Sequence, residues 1–277
     1  MLRNGLYIIA TPIGNLQDIS ARAVQILDEA EIIACEDTRI AKKLFTLLGL
    51  SLSKKFIKYE DHCEEEKAQE LIDLINQNHA VALISDAGSP LISDPGYKLV
   101  RQCRLQDVYV TAVPGACAVI TALQLSGLPT NRFMFAGFIP NKDKARADLF
   151  KELKDIDTTL VFYETAPRLL KTLAQMAEIY ARRETAVCRE LTKMYEETVS
   201  GSAEELIKYF TQNPPRGEFV VMVAPSTVKE VNIDDIRDVL RCRLKETSLK
   251  TAVKEICDAY NFNKNEIYAL ALELKNE

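Results

Sequence analysis

The sequence predicts an α/β protein: two α/β domains followed by a small C-terminal extension of three helices. Three observations carry this. Over residues 1–113, short apolar runs alternate with amphipathic stretches, the pattern of a largely parallel sheet covered by helices. Over 114–225 the alternation continues but includes "CRELTKMYEETVSG", two strand-like runs joined tightly, which predicts a mixed sheet. Over 226–277 the pattern is helical throughout.

The elements follow in order. "GLYIIA" reads as a strand, and "DISARAVQILDEA" as a helix with Ala23, Ile26, Leu27 and Ala30 on one face. "EIIAC" is a strand ending in "EDTR", and "IAKKLFTLLGL" a helix stopped by Gly49. "KKFIKY", "EEEKAQELIDLINQN" and "AVALIS" give strand, helix and strand, and "GYKLVRQCRLQ" with "DVYVTAVPG" a further helix and strand. In the second part "RFMFAGFIP", "TTLVFYE", "TAVCREL", "YEETVSG" and "EFVVMVAP" supply strands. Between them lie the helices "KARADLFKELKD", "RLLKTLAQMAEIYA" and "SAEELIKYFTQN". The tail reads as "DDIRDVLRCRLKE", "SLKTAVKEICDAY" and "NKNEIYALALELK", the last opened by Asn263 and Glu266 at capping-box spacing. Such a unit resembles a helix-turn-helix, with Arg237, Arg241, Lys245, Lys250 and Lys254 as phosphate contacts, or else a packing appendage or a dimer arm.

Composition narrows the function classes. The 277 residues are 47% hydrophobic and 27% charged, as in a globular protein with a sizeable core. No apolar run approaches the ~20 residues of a membrane span, and the N-terminal apolar piece runs straight into a Pro/Gly turn, unlike a signal peptide. Seven cysteines without a C-x-x-C pair, and only His62 and His79, argue for reduced cytoplasmic thiols and against a structural zinc site. The net charge of −5 does not advertise nucleic-acid binding. Its distribution is uneven, because Arg39, Lys42, Lys43, Lys54, Lys55 and Lys58 fall in a stretch with no acid. Such a patch suits a polyanion engaged through few phosphates, although a solvated face is the plainer reading.

Motifs exclude several chemistries. The turn after the first strand is "ATPIGN", not a dinucleotide-binding G-x-G-x-x-G, and neither a Walker motif nor a G-x-S-x-G elbow occurs. "SDAGSPLISDPG" follows a buried strand, where α/β folds bind ligands. With Asp86 and Asp94 and no cation, it suits a ligand bearing hydroxyls, an amine or a positive charge better than phosphate. "EDTR", "DHCE", "YETAPR" and "RELTK" place further polar groups at strand ends, which line up along one sheet edge.

Together "GLYIIATPIGNLQDIS", "EDTR", "SDAGSPLISDPGY", "VPGACAVITALQLSGLP", "FAGFIP", "RELTKMYEE" and "GEFVVMV" resemble the ribosomal RNA small subunit methyltransferase I family, of the tetrapyrrole methylase superfamily. The resemblance runs from Gly5 to about Ala224 and extends to the helical tail. It implies two α/β domains of tetrapyrrole methylase type with S-adenosylmethionine in the cleft between them. It also implies a homodimer that methylates the ribose 2′-hydroxyl of a cytidine in the ribosome's decoding region. The resemblance implies a cofactor pocket made of Pro12, Ile13 and Gly14, of Asp86, Ala87, Gly88, Ser89 and Pro90, of Cys117 and Ala118, and of Phe162 and Tyr163. Candidate catalytic groups are Glu36, Asp37, Arg39, His62, Glu64 and Lys193, and candidate RNA contacts are Arg39, Lys42, Lys43, Arg168 and Arg189. No metal is expected. The sequence departs from the family pattern at His62-Cys63-Glu64, at "ETAPR" and at Tyr195, losing two histidines. Two other readings stand beside it: a superfamily enzyme acting on a corrin precursor or a protein, and a ribosome-binding factor without turnover.

Overall fold

The computed structural model describes residues 2–60, 64–181, 183–226, 233–260 and 263–276. Residues 1–225 cluster as one compact unit and 226–277 as a second.

The first sheet contains β1 (Gly5–Ile9), β2 (Ile32–Cys35), β3 (Lys55–Lys58), β4 (Ala80–Ile84) and β5 (Val110–Val113) in the order β3-β2-β4-β1-β5, all parallel. Side chains alternate between its faces. Tyr7, Ile9, Ile33 and Ala82 pack beneath α1 (Ala21–Glu29) and α2 (Thr38–Leu47), whereas Leu6, Ala34, Val81 and Leu83 pack beneath α3 (Glu64–Asn76) and α4 (Tyr97–Leu105). Burial on both faces explains why "AVALI" is an unbroken apolar run. Ser20 caps α1 by accepting from the Ala23 N–H, and Lys54 reaches back to the Asp28 and Ala30 carbonyls at its far end.

This strand order sets the site. β1 connects through α1 toward β2, and β4 connects through α4 toward β5, so adjacent strands send their connections in opposite directions. A crevice opens at the carboxyl ends of such a pair. The loops there are "ATPIGN" and "SDAGSP".

The second sheet has the order β6-β7-β10-β8-β9, from β6 (Phe133–Phe138), β7 (Thr159–Thr165), β8 (Thr185–Arg189), β9 (Glu197–Gly201) and β10 (Glu218–Val223). β6 pairs parallel to β7 and the rest pair antiparallel, the mixed sheet that the joined runs around "RELTKMYEE" predict. One face is sealed by α6 (Asp143–Glu152), α7 (Leu169–Ile179) and α8 (Ala203–Gln212) around Phe150, Phe162, Leu173 and Phe210. The other carries α5 (Ala118–Ser126), with Val119, Ala122 and Leu123 against Val161, Cys188 and Met222. α8 opens with a full capping box between Ser202 and Glu205.

The second unit is α9 (Ile233–Glu246), α10 (Leu249–Tyr260) and α11 (Lys264–Asn276) around Leu240, Ala252, Val253, Ile256, Ile267 and Ala271. Asn263 caps α11, but its side chain accepts from the Asn265 N–H rather than from Glu266, so only the cap half of the expected box forms. Arg237 pairs with Glu273, and Arg243 lies 3.1 Å from Glu246 and 3.7 Å from Glu255.

Candidate active site

Two backbone hydrogen bonds lock the crevice loops together: Thr11 N–H donates to the Gly88 carbonyl at 2.8 Å, and Gly88 N–H returns to Thr11 at 3.1 Å. Thr11 Oγ1 adds a bond to the Ser85 carbonyl at 3.2 Å. Gly88 sits at φ +83°, and a Cβ there would lie 3.2 Å from Ile13 Cγ2. Glycine is required by both the backbone angle and the close approach.

Beyond these loops lies a cavity of about 470 Å³. From the first sheet it is lined by Ile13, Glu36, Asp86, Ala87, Gly88 and Ser89, with Ile92, Ser93 and Asp94 from the next turn. From the second part come Cys117 and Ala118 at the start of α5, Phe138, Tyr163, Leu191, Lys193 and Glu218. Eight of the twelve sequence-predicted cofactor residues meet here: Ile13, Asp86, Ala87, Gly88, Ser89, Cys117, Ala118 and Tyr163. Pro12 and Gly14 line a smaller adjoining cavity instead. Pro90 is buried outside the lining of either cavity.

Phe162 needs correcting. It is fully buried in the opposite face of the second sheet, its ring 5.7 Å from that of Phe150. Neighbours in a strand point to opposite faces, so only one of Phe162 and Tyr163 can face the cavity. Tyr163 does, with edge contacts to Phe135 and Phe138. Burial pushes its hydroxyl pKa well up, so the phenol stays protonated.

The polar groups divide between ligand-facing and structural. Asp86 accepts a 3.1 Å bond from the Asp37 backbone N–H, and burial raises its carboxyl above the ordinary range. Glu36 faces the cavity, whereas Asp37 turns away as the N-cap of α2, accepting from the Arg39 N–H at 2.8 Å. The Arg39 guanidinium then grips Asp37 at 2.6 Å. Hydrogen bonds from the Arg39 side chain and backbone hold the Asp37 carboxyl well below its usual range, which makes it a poor proton acceptor.

Lys193 is held by carboxylates on both sides, Glu190 at 3.0 Å and Glu218 at 2.8 Å. Burial alone would lower its pKa, but the bonds to Glu218 and Glu190 outweigh this and raise it. It is therefore a fixed cation and not a base. The turn that carries it places Glu190 at φ 48° and Thr192 at φ 62°, an uncommon setting for a β-branched residue. Asn15 N–H donates to Thr192 Oγ1 at 3.1 Å, and a side chain on Gly14 would overlap the Lys193 stem. Gly217, at φ +83°, leaves room for the Glu190 carboxylate, which accepts from the Glu218 N–H at 3.1 Å.

Two predicted RNA contacts are engaged locally. Arg168 pairs at 2.6 Å with Glu164, which also accepts from Thr172 Oγ1 at 2.5 Å and from the Thr165 N–H at 2.7 Å. Arg189 Nε lies 2.9 Å from Glu197, near enough to pair charges but not aligned as a hydrogen bond. On α2, Lys42 rests over the Phe56 ring at 5.5 Å and Lys43 is exposed. His62 and the side chain of Glu64 lie outside the described residues. Sequence reasoning missed Ile92, Ser93, Phe138, Leu191 and Glu218 as cavity walls; all but Ile92 and Ser93 sit in or beside strand ends, where the run "GEFVVMV" marks one of them.

The tetrapyrrole (corrin/porphyrin) methylase family model matches residues 5–207, and the RsmI C-terminal HTH domain matches 230–275. The chain is 42% identical over 280 residues to the ribosomal RNA small subunit methyltransferase I of Rickettsia prowazekii, covering 99% of both chains. It is 46% identical over 274 residues to the protein of that name from Erythrobacter litoralis, covering 99% of this chain and 96% of the relative. Among solved structures, diphthine synthase superposes with TM-score 0.62 at 16% identity over 84% of this chain and 94% of that one. A cobalt precorrin-4 methyltransferase gives 0.57 at 15% identity over 79% and 94%. These two likenesses establish the fold.

S-adenosylmethionine is the methyl donor of the family, and the cavity fits it. The walls carry Glu36, Asp86 and Asp94 with apolar Ile13, Ala118 and Tyr163 between them, and the one lining ammonium among the described residues is neutralised by two glutamates. Such a surface favours a cationic ligand with amine and hydroxyl groups. The chain belongs to the tetrapyrrole methylase family and, within it, to the ribosomal RNA small subunit methyltransferase I proteins.

Proposed function

We propose that this protein transfers a methyl group from S-adenosylmethionine to the ribose 2′-hydroxyl of a cytidine in the decoding region of small-subunit ribosomal RNA. The observation that carries this reading is likeness along the whole chain, helical tail included, to relatives named ribosomal RNA small subunit methyltransferase I. The bound donor supplies an activated methyl on a sulfonium centre, so the protein's work is alignment and removal of one proton.

Asp86 and the Gly88 loop hold the donor's polar groups against the first sheet, and Tyr163 and Ala118 close the other side. Glu36, in the wall beside Asp86, takes the hydroxyl proton. Asp37 is unsuited to that task, because Arg39 suppresses its basicity. Lys193, its charge balanced by Glu190 and Glu218, has a third N–H to offer the oxygen from which the proton leaves. Arg39, Lys42 and Lys43 along α2 meet the RNA backbone, and the three-helix unit adds contacts through Lys245, Lys250 and Lys254, all exposed. The reaction belongs in the cytoplasm, with the ribosome.

A homodimer is supported by apolar surface on the side of the second sheet that carries α5. There α5 exposes Ile120 and Leu125, and the edge strand β6 exposes Phe133 and Phe138.

The test is methyl transfer from labelled donor to small subunits purified from a strain lacking this gene, with the modified nucleoside mapped. Label recovered as 2′-O-methylcytidine supports the reading. Donor binding without label moves the weight to another methyl acceptor or to a factor that binds without turnover.

A further inference from the structure

The smaller cavity, about 330 Å³, opens beside the donor cavity and shares its wall at Ile13, Asp86, Ala87, Lys193 and Glu218. Its far side is apolar: Pro12, Leu16, Ile40, Leu44 and Leu47. Ile40 and Leu47 are 42% and 58% exposed on α2, an unusual concentration of aliphatic surface on a helix that also carries Arg39, Lys42 and Lys43. Lys43 lines this cavity and makes no ion pair among the described residues. Packing of α2 does not explain these residues, since its buried side is Ala41 and Phe45.

The geometry points to this cavity as the subsite for the acceptor nucleoside, swung out of the RNA so that its base lies on the aliphatic face of α2 and its sugar faces the shared wall. The inference rests on the RNA-methylation reading and gives that reading a place for its substrate. Three features select a nucleoside over other occupants. The cavity falls at the lower end of the usual ~300–1,000 Å³ for small-molecule sites. Its carboxylates, Asp86 and Glu218, lie in the wall that the sugar faces, where they repel a free anion but accept from ribose hydroxyls. Lys43 gives the adjoining phosphate one cation at the rim, and the basic residues of α2 continue from there. A base stacked in the RNA cannot enter a concave site, so the target nucleotide has to leave the stack.

The experiment is steady-state methyl transfer to small subunits with wild-type protein, Leu47→Asp and Lys43→Gln, alongside calorimetric titration of the donor and melting temperatures. Leu47→Asp is expected to raise KM for the subunit at least about tenfold with donor affinity within about twofold of wild type, the loss expected for a charge placed under a stacked base. Lys43→Gln, at an exposed position that cannot unfold the protein, is expected to flatten the dependence of log KM on log salt by about 0.7. Both variants keeping wild-type KM and salt slope, while wild type labels the RNA, overturns the subsite and leaves the functional reading standing. Absence of label with wild-type protein overturns the functional reading, and with it the nucleoside as occupant.

Discussion

Asp86 and Glu164 are both carboxylates at the carboxyl end of a buried strand, and both line the larger cavity. Their surroundings are opposite. Glu164 has no exposed side-chain surface, and its oxygens are engaged by Arg168, Thr172 and the Thr165 N–H. Asp86 accepts one backbone N–H and otherwise faces the cavity, with its carboxyl raised by burial. One is a strut that ties the start of α7 to β7. The other bears a desolvation cost that its single backbone hydrogen bond offsets only in part. A residue left imperfectly satisfied at a strand end is the better mark of a binding site.

This contrast sets the order of expected effects. Glu164→Ala removes one partner of a buried pair and strands the Arg168 guanidinium. It is expected to cost about 3–5 kcal/mol, lowering the melting temperature by roughly 6–20 °C for a unit of this size, which calorimetry reads directly. Gly217→Ala forces a Cβ into a left-handed angle and displaces Glu190 from Lys193. The backbone part alone is about 1–2 kcal/mol, and a smaller drop in melting temperature is expected than for Glu164→Ala.

Asp86→Asn reverses the sign. A carboxyl whose folded pKa is raised contributes stability below its unfolded pKa and loses it as pH rises through the folded value. The ionised group therefore opposes folding at neutral pH. The amide variant is expected to melt no lower than wild type at pH 7, with any gain vanishing in acid below the ordinary carboxylate range. Smallest is Arg39→Ala. The guanidinium is 89% exposed and its pair with Asp37 lies in solvent, so no resolvable change in melting temperature is expected, only weaker use of RNA at low salt.

Much of the architecture was legible because the first sheet is buried on both faces and its strands read as apolar runs bounded by Gly, Pro and Asp turns. The site was legible at the loops, where "SDAGSP" combines a φ-permissive glycine with an acid at a strand end. Side-chain partnership was not. Nothing in "ETAPR" or "RELTK" shows that Arg168 and Lys193 close onto carboxylates of their own chain, since Glu218 is 25 residues from Lys193 and folding alone brings them together. The choice between Phe162 and Tyr163 was open to period-two reasoning, because Leu160 and Phe162 share one face and Val161 and Tyr163 the other. Likewise, Asp37 stands directly before the helical "TRIAKKLF", the position of an N-cap, which its spacing alone could have distinguished from a catalytic group.

The measurement that bears most directly on the account is calorimetric titration of S-adenosylmethionine into wild-type protein and Asp86→Asn, with melting temperatures recorded on the same samples. Binding by wild type is expected, with affinity weaker by about tenfold or more for the variant, the scale of a lost hydrogen bond to a charged group, at an undiminished melting temperature. Equal affinities for the two proteins would contradict the assignment of this cavity to the methyl donor.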